Sequence, residues 1–242
     1  VVYITPDDSL ARSEDSMTKK VALAWSGGKD CALALYKLQE DGKYDVVSLL
    51  TTITADYDRV SMHGVRSTLL EHQADSLGIQ IEKVTIPKEC SNEEYDARMR
   101  DAIGRLREKG IEAIAFGDIF LEDVRRYRES RLSGSGTDIL FPLWKQDTKK
   151  LAREFIDLGF RAIITCVDTQ MLSRSFAGKK FDIAFLSSLP SNVDPCGENG
   201  EFHTFVYDGP IFRRRIQFEV GEIVLRDDRF CFCDLVPQGS IS

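Results

Sequence analysis

An apolar run from Val21 to Trp25 breaks off at Ser26-Gly27-Gly28-Lys29-Asp30-Cys31, and beyond it Cys31, Leu35 and Leu38 recur on one helical face. Strand, glycine turn and helix follow from that order. A helix that begins straight after such a turn leaves its first N–H groups free, with the positive end of its dipole behind them. Backbone without Cβ atoms can approach an anion closely, so this stretch suits a phosphate. Lys29 adds a point charge and the Ser26 hydroxyl a donor.

Two commoner phosphate motifs are excluded. In a Walker A loop, Leu23 would stand where the first glycine belongs and Asp30 where the hydroxyl residue belongs. In the dinucleotide fingerprint, Lys29 would hold the second glycine position. What matches is S-G-G-x-D-S, with Cys31 in place of the last Ser. The stretch resembles the pyrophosphate-binding loop of the PP-loop, or N-type, ATP pyrophosphatases, which cleave ATP to AMP and pyrophosphate and adenylate an acceptor oxygen. Cys for Ser keeps the size at position 31 and weakens the hydrogen bonding.

The rest of the chain fits an α/β frame. At 242 residues, 43% hydrophobic and 29% charged, it can bury the core of one α/β domain with a small appendage. A formal net charge of −7 counts against a broad basic face, and so against non-specific nucleic-acid binding. No apolar run reaches the length of a membrane span, and no apolar signal-peptide core precedes Met17. The six cysteines contain no C-x-x-C pair, which suggests free thiols in a reducing, cytoplasmic compartment.

Strands are expected at 45–53, 79–86, 111–116, 139–144 and 161–167, and helices at 65–77, from about 92 to 110, at 122–131 and from Asp147 onward. Such alternation predicts a doubly wound parallel sheet, with 161–167 as its sixth strand and ligands at the strands' carboxyl ends. From about 170 the pattern changes. Residues 181–189 read as a short helix or strand, and apolar stretches at 205–207, 211–220 and 222–236 read as strands of a small β-rich part. The expected division is a flexible extension at 1–18, a nucleotide-binding domain at 19–170, a C-terminal substrate-binding part at 171–237 and a tail at 238–242.

A second unusual stretch is Asp194-Pro195-Cys196-Gly197-Glu198-Asn199-Gly200-Glu201-Phe202-His203-Thr204. A turn explains Asn199-Gly200. It does not explain the crowd of Glu198, Glu201, His203 and Cys196 around it. S-G-G-K-D together with D-P-x-G-E-x-G-E-F-H-T resembles the diphthine–ammonia ligase family, the ATP-binding type-4 group of PP-loop enzymes. Gly117-Asp118, Arg128-Glu129 and Pro142-Leu143-Trp144 extend the resemblance over about residues 19–237.

The resemblance implies a Rossmann-like nucleotide α-hydrolase fold with a smaller C-terminal β-rich substrate-binding part. It implies adenylation of an acceptor carboxylate, release of AMP and pyrophosphate, and amidation with ammonium. Ser26, Gly27, Gly28, Lys29, Asp30 and Cys31 are then expected on ATP, and Asp30 and Asp118 beside Mg²⁺. Lys29, Asp118, Glu198, Glu201 and His203 are the candidate catalytic residues, with the two glutamates holding ammonium and taking its proton. His63, Arg66, Arg128, Glu129, Asn199 and Gly200 are the candidates for the substrate. The acceptor would be diphthine on an elongation factor 2-like protein, or a small molecule. The 61–66 stretch and the 119–128 insertion look like bacterial members, and bacteria lack diphthamide. The resemblance also implies a member without the extra C-terminal domains of eukaryotic ones. A homodimer is admitted, without a sequence signal that selects it.

Two rival functions share the first motif. One is a PP-loop enzyme that adenylates a base carbonyl of transfer RNA, for which Cys166 at a strand end is the thiol to watch. The other is a nucleotide-binding regulator without turnover, hinted at by Cys31. Cys231 and Cys233 share a strand face and are read as core, and Arg213-Arg214-Arg215 as an exposed strand edge.

Overall fold

The computed structural model describes residues 18–60 and 63–238. The expected extension up to Met17, residues 61–62 and the tail beyond Gln238 lie outside the described residues. Strand β1 (Lys19–Ala24) leads into helix α1 (Lys29–Asp41), and β2 (Tyr44–Thr54), β3 (Arg59–Val60), α2 (Ser67–Leu77) and β4 (Gln80–Ile86) follow. Then come α3 (Asn92–Glu108), β5 (Ala113–Ala115), α4 (Glu122–Leu132) and β6 (Asp138–Leu140). The strands β4, β2, β1, β5 and β6 lie side by side in that order, all parallel. The short β3 pairs antiparallel with the end of β2.

Alternate residues of one strand serve opposite faces of this sheet. Val21 and Leu23 pack with α1 and α2, whereas Ala22 packs with Ala102, Ile103 and Leu106 of α3. Burial on both faces explains why the strands read as continuous apolar runs. Strand order reverses between β1 and β5, which makes the gap between their carboxyl ends the switch point. The expected helix ends hold: Ser91 caps α3 by accepting from Glu94 N–H, Asp147 caps α5 (Thr148–Asp157) by accepting from Lys150 N–H, and Gly78 closes α2 in the left-handed region.

The second sheet is antiparallel, in the order β8 (Phe202–Asp208), β7 (Arg161–Asp168), β10 (Phe230–Pro237), β9 (Phe218–Arg226). The 161–167 strand therefore does not extend the parallel sheet. Its own residues announce a buried strand, but its sheet is set by partners some 40 to 60 residues downstream. Residues 211–217 are irregular, and the apolar 222–236 stretch splits into two strands at Asp227 and Asp228. Both aspartates are left-handed, at φ 51° and 48°, which is the hairpin-turn geometry. Between β7 and β8, α6 (Ile183–Ser188) follows a single 3₁₀ turn. Phe155, Phe181, Phe185 and Phe202 meet edge-on or tilted under this sheet, in a core continuous with that of the first.

Candidate active site

The loop from Ser26 to Gly28 crosses the end of β1 at the switch point. Gly27 has φ +79°, and a Cβ there would stand 2.7 Å from Gln73 Oε1, so the position requires glycine. A Cβ on Gly117 would press on the Asp30 and Cys31 backbone at 3.0 Å, so β5 can pass close to the start of α1 only with glycine there. α1 has no side-chain cap.

The C-terminal sheet holds the loop from behind. Val206 N–H donates to the Gly27 carbonyl at 2.9 Å, and Lys29 N–H donates to Thr204 Oγ1 at 3.0 Å. Gln73, fully buried on α2, donates from Nε2 to the carbonyls of Gly27 and Val206 and accepts from Trp25 Nε1. Sequence reasoning missed Gln73. The available signal was a polar residue on the buried stripe Leu69, Leu70, Ala74, Leu77. Cys31 Sγ donates to the Gly28 carbonyl at 3.1 Å, and burial pushes its thiol up to about 11, so it stays protonated and structural.

A cleft of about 640 Å³ opens over the loop. It is lined by Ser26, Gly28, Lys29, Asp30 and Cys31, by Asp118 and Arg128, and by Glu198, Gly200 and His203. His63 lines it too. Sequence positions 26 to 203 thus converge on one space, and several of the candidate residues meet there.

Lys29 is buried, with its ammonium on both Asp30 oxygens at 2.9 and 2.8 Å. Burial opposes its charge, but Asp30 outweighs burial and the ammonium is held above its ordinary pKa. Asp118 is clamped by Arg128, with Nε at 2.6 Å from Oδ2 and Nη2 at 3.0 Å from Oδ1. The Arg128 guanidinium lies on the Phe116 ring.

Two carboxylates shape the 194–201 loop and a third is presented by it. Asp194 accepts from the N–H groups of Cys196 and Glu198. Glu201, buried, accepts from the N–H groups of Asp194 and Asn199 and from Asn199 Nδ2, each at 3.0 Å. Glu198 Oε1 accepts from Ile119 N–H at 2.7 Å and from Phe120 N–H at 3.3 Å, and Oε2 has no protein partner among the described residues. Burial, and then the nearby Asp30 charge, raise Glu198 to about 7 against the pull of those N–H groups.

His63 and His203 lie with ring centroids 4.4 Å apart. Burial, reinforced by the Lys29 charge, lowers His203 to about 4. His63 is lowered well below its ordinary value by burial, with His203 and Lys29 adding to it, so both rings are neutral at pH 7. Among the described residues, His63 Nδ1 and Thr51 Oγ1 are buried without a hydrogen-bond partner, and both residues line the cleft.

Four of the expected site residues point elsewhere. Glu201 and Asn199 are absent from the cleft lining because they satisfy each other inside the loop. Arg66 pairs with Asp234 of β10 at 2.7 Å, as does Arg59 at 2.8 Å. Glu129 turns to Arg125 on the adjacent helical turn, and the Arg125 guanidinium lies over the neighbouring rings of Phe141 and Trp144. In each case a partner in the same loop, one helical turn away or distant in sequence holds the side chain in place of the cleft.

Parallel order with a reversal at the phosphate loop, and the cleft above it, define a nucleotide-binding α/β protein of the PP-loop kind. Residues 19–136 match the diphthamide synthase N-terminal domain and residues 147–235 the diphthamide synthase C-terminal domain. The chain belongs to the diphthamide synthase family. It is similar to the diphthine–ammonia ligase of Danio rerio, 26% identical over 226 residues that cover 84% of this chain and 88% of that one. The match to the diphthine–ammonia ligase of Schizosaccharomyces pombe is 31% identical over 118 residues, 47% of this chain and 20% of the longer relative. Among solved structures, a predicted subunit of tRNA methyltransferase from Methanocaldococcus jannaschii is similar at a TM-score of 0.39 and 17% identity, over 59% of this chain and 77% of that one. No helix among the described residues is long and apolar enough to cross a membrane.

Proposed function

We propose that the protein is an ATP-dependent amide ligase that adenylates an acceptor carboxylate and then amidates it with ammonium. The observation that carries this is Glu198. A carboxylate with a value near 7 faces the same cleft as the phosphate loop, with one oxygen fixed and the other open.

The cleft fits ATP. Gly28 lines it without a side chain, and His63 Nδ1 and Thr51 Oγ1 are buried polar atoms that lack a partner among the described residues. Ser26 to Asp30 would hold the pyrophosphate as it leaves, with Lys29 exchanging one Asp30 contact for phosphate. Mg²⁺ fits as well. Asp30 and Asp118 share the cleft, each already held by a cation, and the described residues gather no cage of three or more ligands. The two carboxylates would hold the ion beside the phosphates. It would neutralise phosphate charge there.

A carboxylate is a poor electrophile. Its oxygen attacks the α-phosphorus, the bond to the β-phosphoryl oxygen breaks, and pyrophosphate leaves an acyl-adenylate. Ammonium passes a proton to Glu198, ammonia attacks the acyl carbon, the bond from that carbon to the AMP phosphate oxygen breaks, and the new amide nitrogen gives up its surplus proton to water as AMP departs. A base with a pKa near the working pH does this with little mismatch. Neutral His63 and His203 keep positive charge away from the spot where the ammonium cation must sit. The C-terminal part supplies Glu198 and the backing for the loop, and the N-terminal part supplies the loop itself.

The name borne by the relatives supports diphthine, on an elongation factor 2-like protein, as the first acceptor to try, with a small-molecule carboxylate as the other. The transfer-RNA reading is less supported: Cys166 is buried, is pushed up to about 12 and does not line the cleft. The test is product analysis with ATP, ammonium and each acceptor. AMP with pyrophosphate and a new amide supports the assignment; ADP with orthophosphate removes it.

A further inference from the structure

A second chamber, of about 460 Å³, opens between α3 and α4. Leu50, Ile103, Ile114 and Leu132 form its apolar floor, and Tyr95 and Tyr127 stand in its walls. It adjoins the nucleotide cleft, because Leu50, Tyr95, Met99, Phe116 and Arg128 line both. The phosphate loop and Glu198 lie outside it. Its charge is one-sided: Arg100, Arg107, Arg128 and Arg131 line it against a single carboxylate, Asp96. Arg131 takes Asp96, and Asp118 of the cleft takes Arg128. Arg100 and Arg107, both exposed on α3, make no ion pair within the chain among the described residues, unlike Arg98 and Arg105 of the same helix. In a chain of formal net charge −7, positive charge gathered at one opening draws an anion to it.

Gly104 lies between these two arginines on the helix and also lines the chamber. Its φ is not left-handed, and a Cβ there would meet nothing within 4 Å, so neither the backbone nor packing requires glycine. Glycine inside a helix is less stable than alanine. What it leaves is a gap between the two guanidiniums.

We propose that this chamber seats the acceptor, and that the acceptor is a small carboxylic acid with a second anionic group, held by Arg100 and Arg107. The inference rests on the ligase reading above and narrows its acceptor. The reacting carboxylate points past Arg128 into the cleft. A remote carboxylate or phosphate suits the guanidinium fork. The tyrosines and the apolar floor suit an apolar or aromatic middle, and the volume suits a small molecule. A cationic acceptor would be repelled by the same guanidiniums. Binding of the remote group then positions the carboxylate that reacts.

Calorimetric titration of the full chain, loaded with the uncleavable α,β-methylene ATP, tests this with benzoate and three para-substituted relatives. These are terephthalate, phosphonobenzoate and trimethylammoniobenzoate. Both dianions are expected to bind roughly tenfold or more tighter than benzoate, and the cationic relative more weakly. Which dianion binds better tells a carboxylate from a phosphate-type group. Arg100→Ala and Arg107→Ala are each expected to cut the advantage, and Gly104→Leu to block all four probes. Nucleotide affinity is expected to hold in every variant, and Gly104→Leu to melt no lower than the parent, since leucine is the better helix former. Dianions that bind no better than benzoate overturn the proposal, as does an advantage that both arginine variants keep. Binding that survives Gly104→Leu overturns the chamber as the seat. Nucleotide affinity lost with the probes would assign the chamber to the nucleotide and overturn it too. Amidation of a diphthine-bearing elongation factor 2 at an equal rate by parent and Gly104→Leu overturns the proposal and leaves the ligase reading standing. Release of ADP and orthophosphate would remove the ligase reading, and this acceptor with it.

Discussion

Gln73 Nε2 donates to the Gly27 carbonyl at 3.1 Å, tying α2 to the turn that receives the phosphates. The same amide reaches the Val206 carbonyl at 2.6 Å and accepts from the Trp25 indole at 2.8 Å, so one side chain joins the first strand, the loop and the second sheet. Gln73→Leu is expected to leave the indole N–H and the Val206 carbonyl buried and unsatisfied. The cost is about 2–4 kcal/mol of stability, read by urea unfolding, with a raised KM for ATP because the loop loses its brace.

Lys29→Ala removes the only side-chain ammonium that lines the cleft among the described residues. AMP formation is expected to fall by about 10²–10³-fold, as for loss of one donor to a developing charge. Radiolabelled ATP and thin-layer separation of AMP measure it. Unchanged AMP release would remove the phosphate-loop assignment.

Glu198 should impose a pH dependence. Its basic form accepts the proton, so amide formation should rise with pH and level off above about 7. Glu198→Gln should abolish that step in the profile and slow amidation more than adenylation, measured as amide formed against acceptor-dependent pyrophosphate release. The same raised value means that folding disfavours the charged form. The native state is therefore penalised increasingly as the pH rises from the unfolded value to about 7, in full above that, and not at all below the unfolded value. Glu198→Gln is expected to gain about 1–2 kcal/mol at pH 8 and nothing at pH 4, by thermal melts at both.

Glu201→Gln is expected to act on the loop and not on one chemical step. Three hydrogen bonds converge on this buried carboxylate, and weakening them should lower stability by about 1–3 kcal/mol and reduce adenylation and amidation together. Selective loss of amidation would return Glu201 to a chemical role.

Asp234 holds Arg66 and Arg59 and is lowered to about 2, chiefly by its hydrogen bond from Arg66. A depressed carboxylate stabilises the fold above its unfolded value, and that stability is lost as the pH falls through about 2. Asp234→Asn should therefore cost about 1–2 kcal/mol at pH 7 and almost nothing at pH 2, by denaturant titration at each pH.

Much of the parallel sheet was readable because its signals are local. Glycine at 27 and 28, the apolar runs of β1 and β2, the Ser91 and Asp147 caps and the Gly78 stop each act within a few residues. The candidate site was readable as two clusters, 26–31 and 194–204. Which members of each cluster face the cleft was not readable. Glu198 and Glu201 are both glutamates beside one turn, yet one meets Ile119 N–H and lines the cleft while the other meets its own loop.

The sequence by itself determined a strand, a phosphate-binding turn and a helix at residues 19–41, with alternating elements behind them, because backbone geometry and hydrophobic period are properties of neighbouring residues. Only the tertiary structure decided that Arg161–Asp168 joins the antiparallel sheet, that Arg66 is held by Asp234 and that Gln73 braces the loop. Those outcomes depend on partners 40 to 170 residues away. A side chain's direction there is set by which distant donor or acceptor it must satisfy once water is gone.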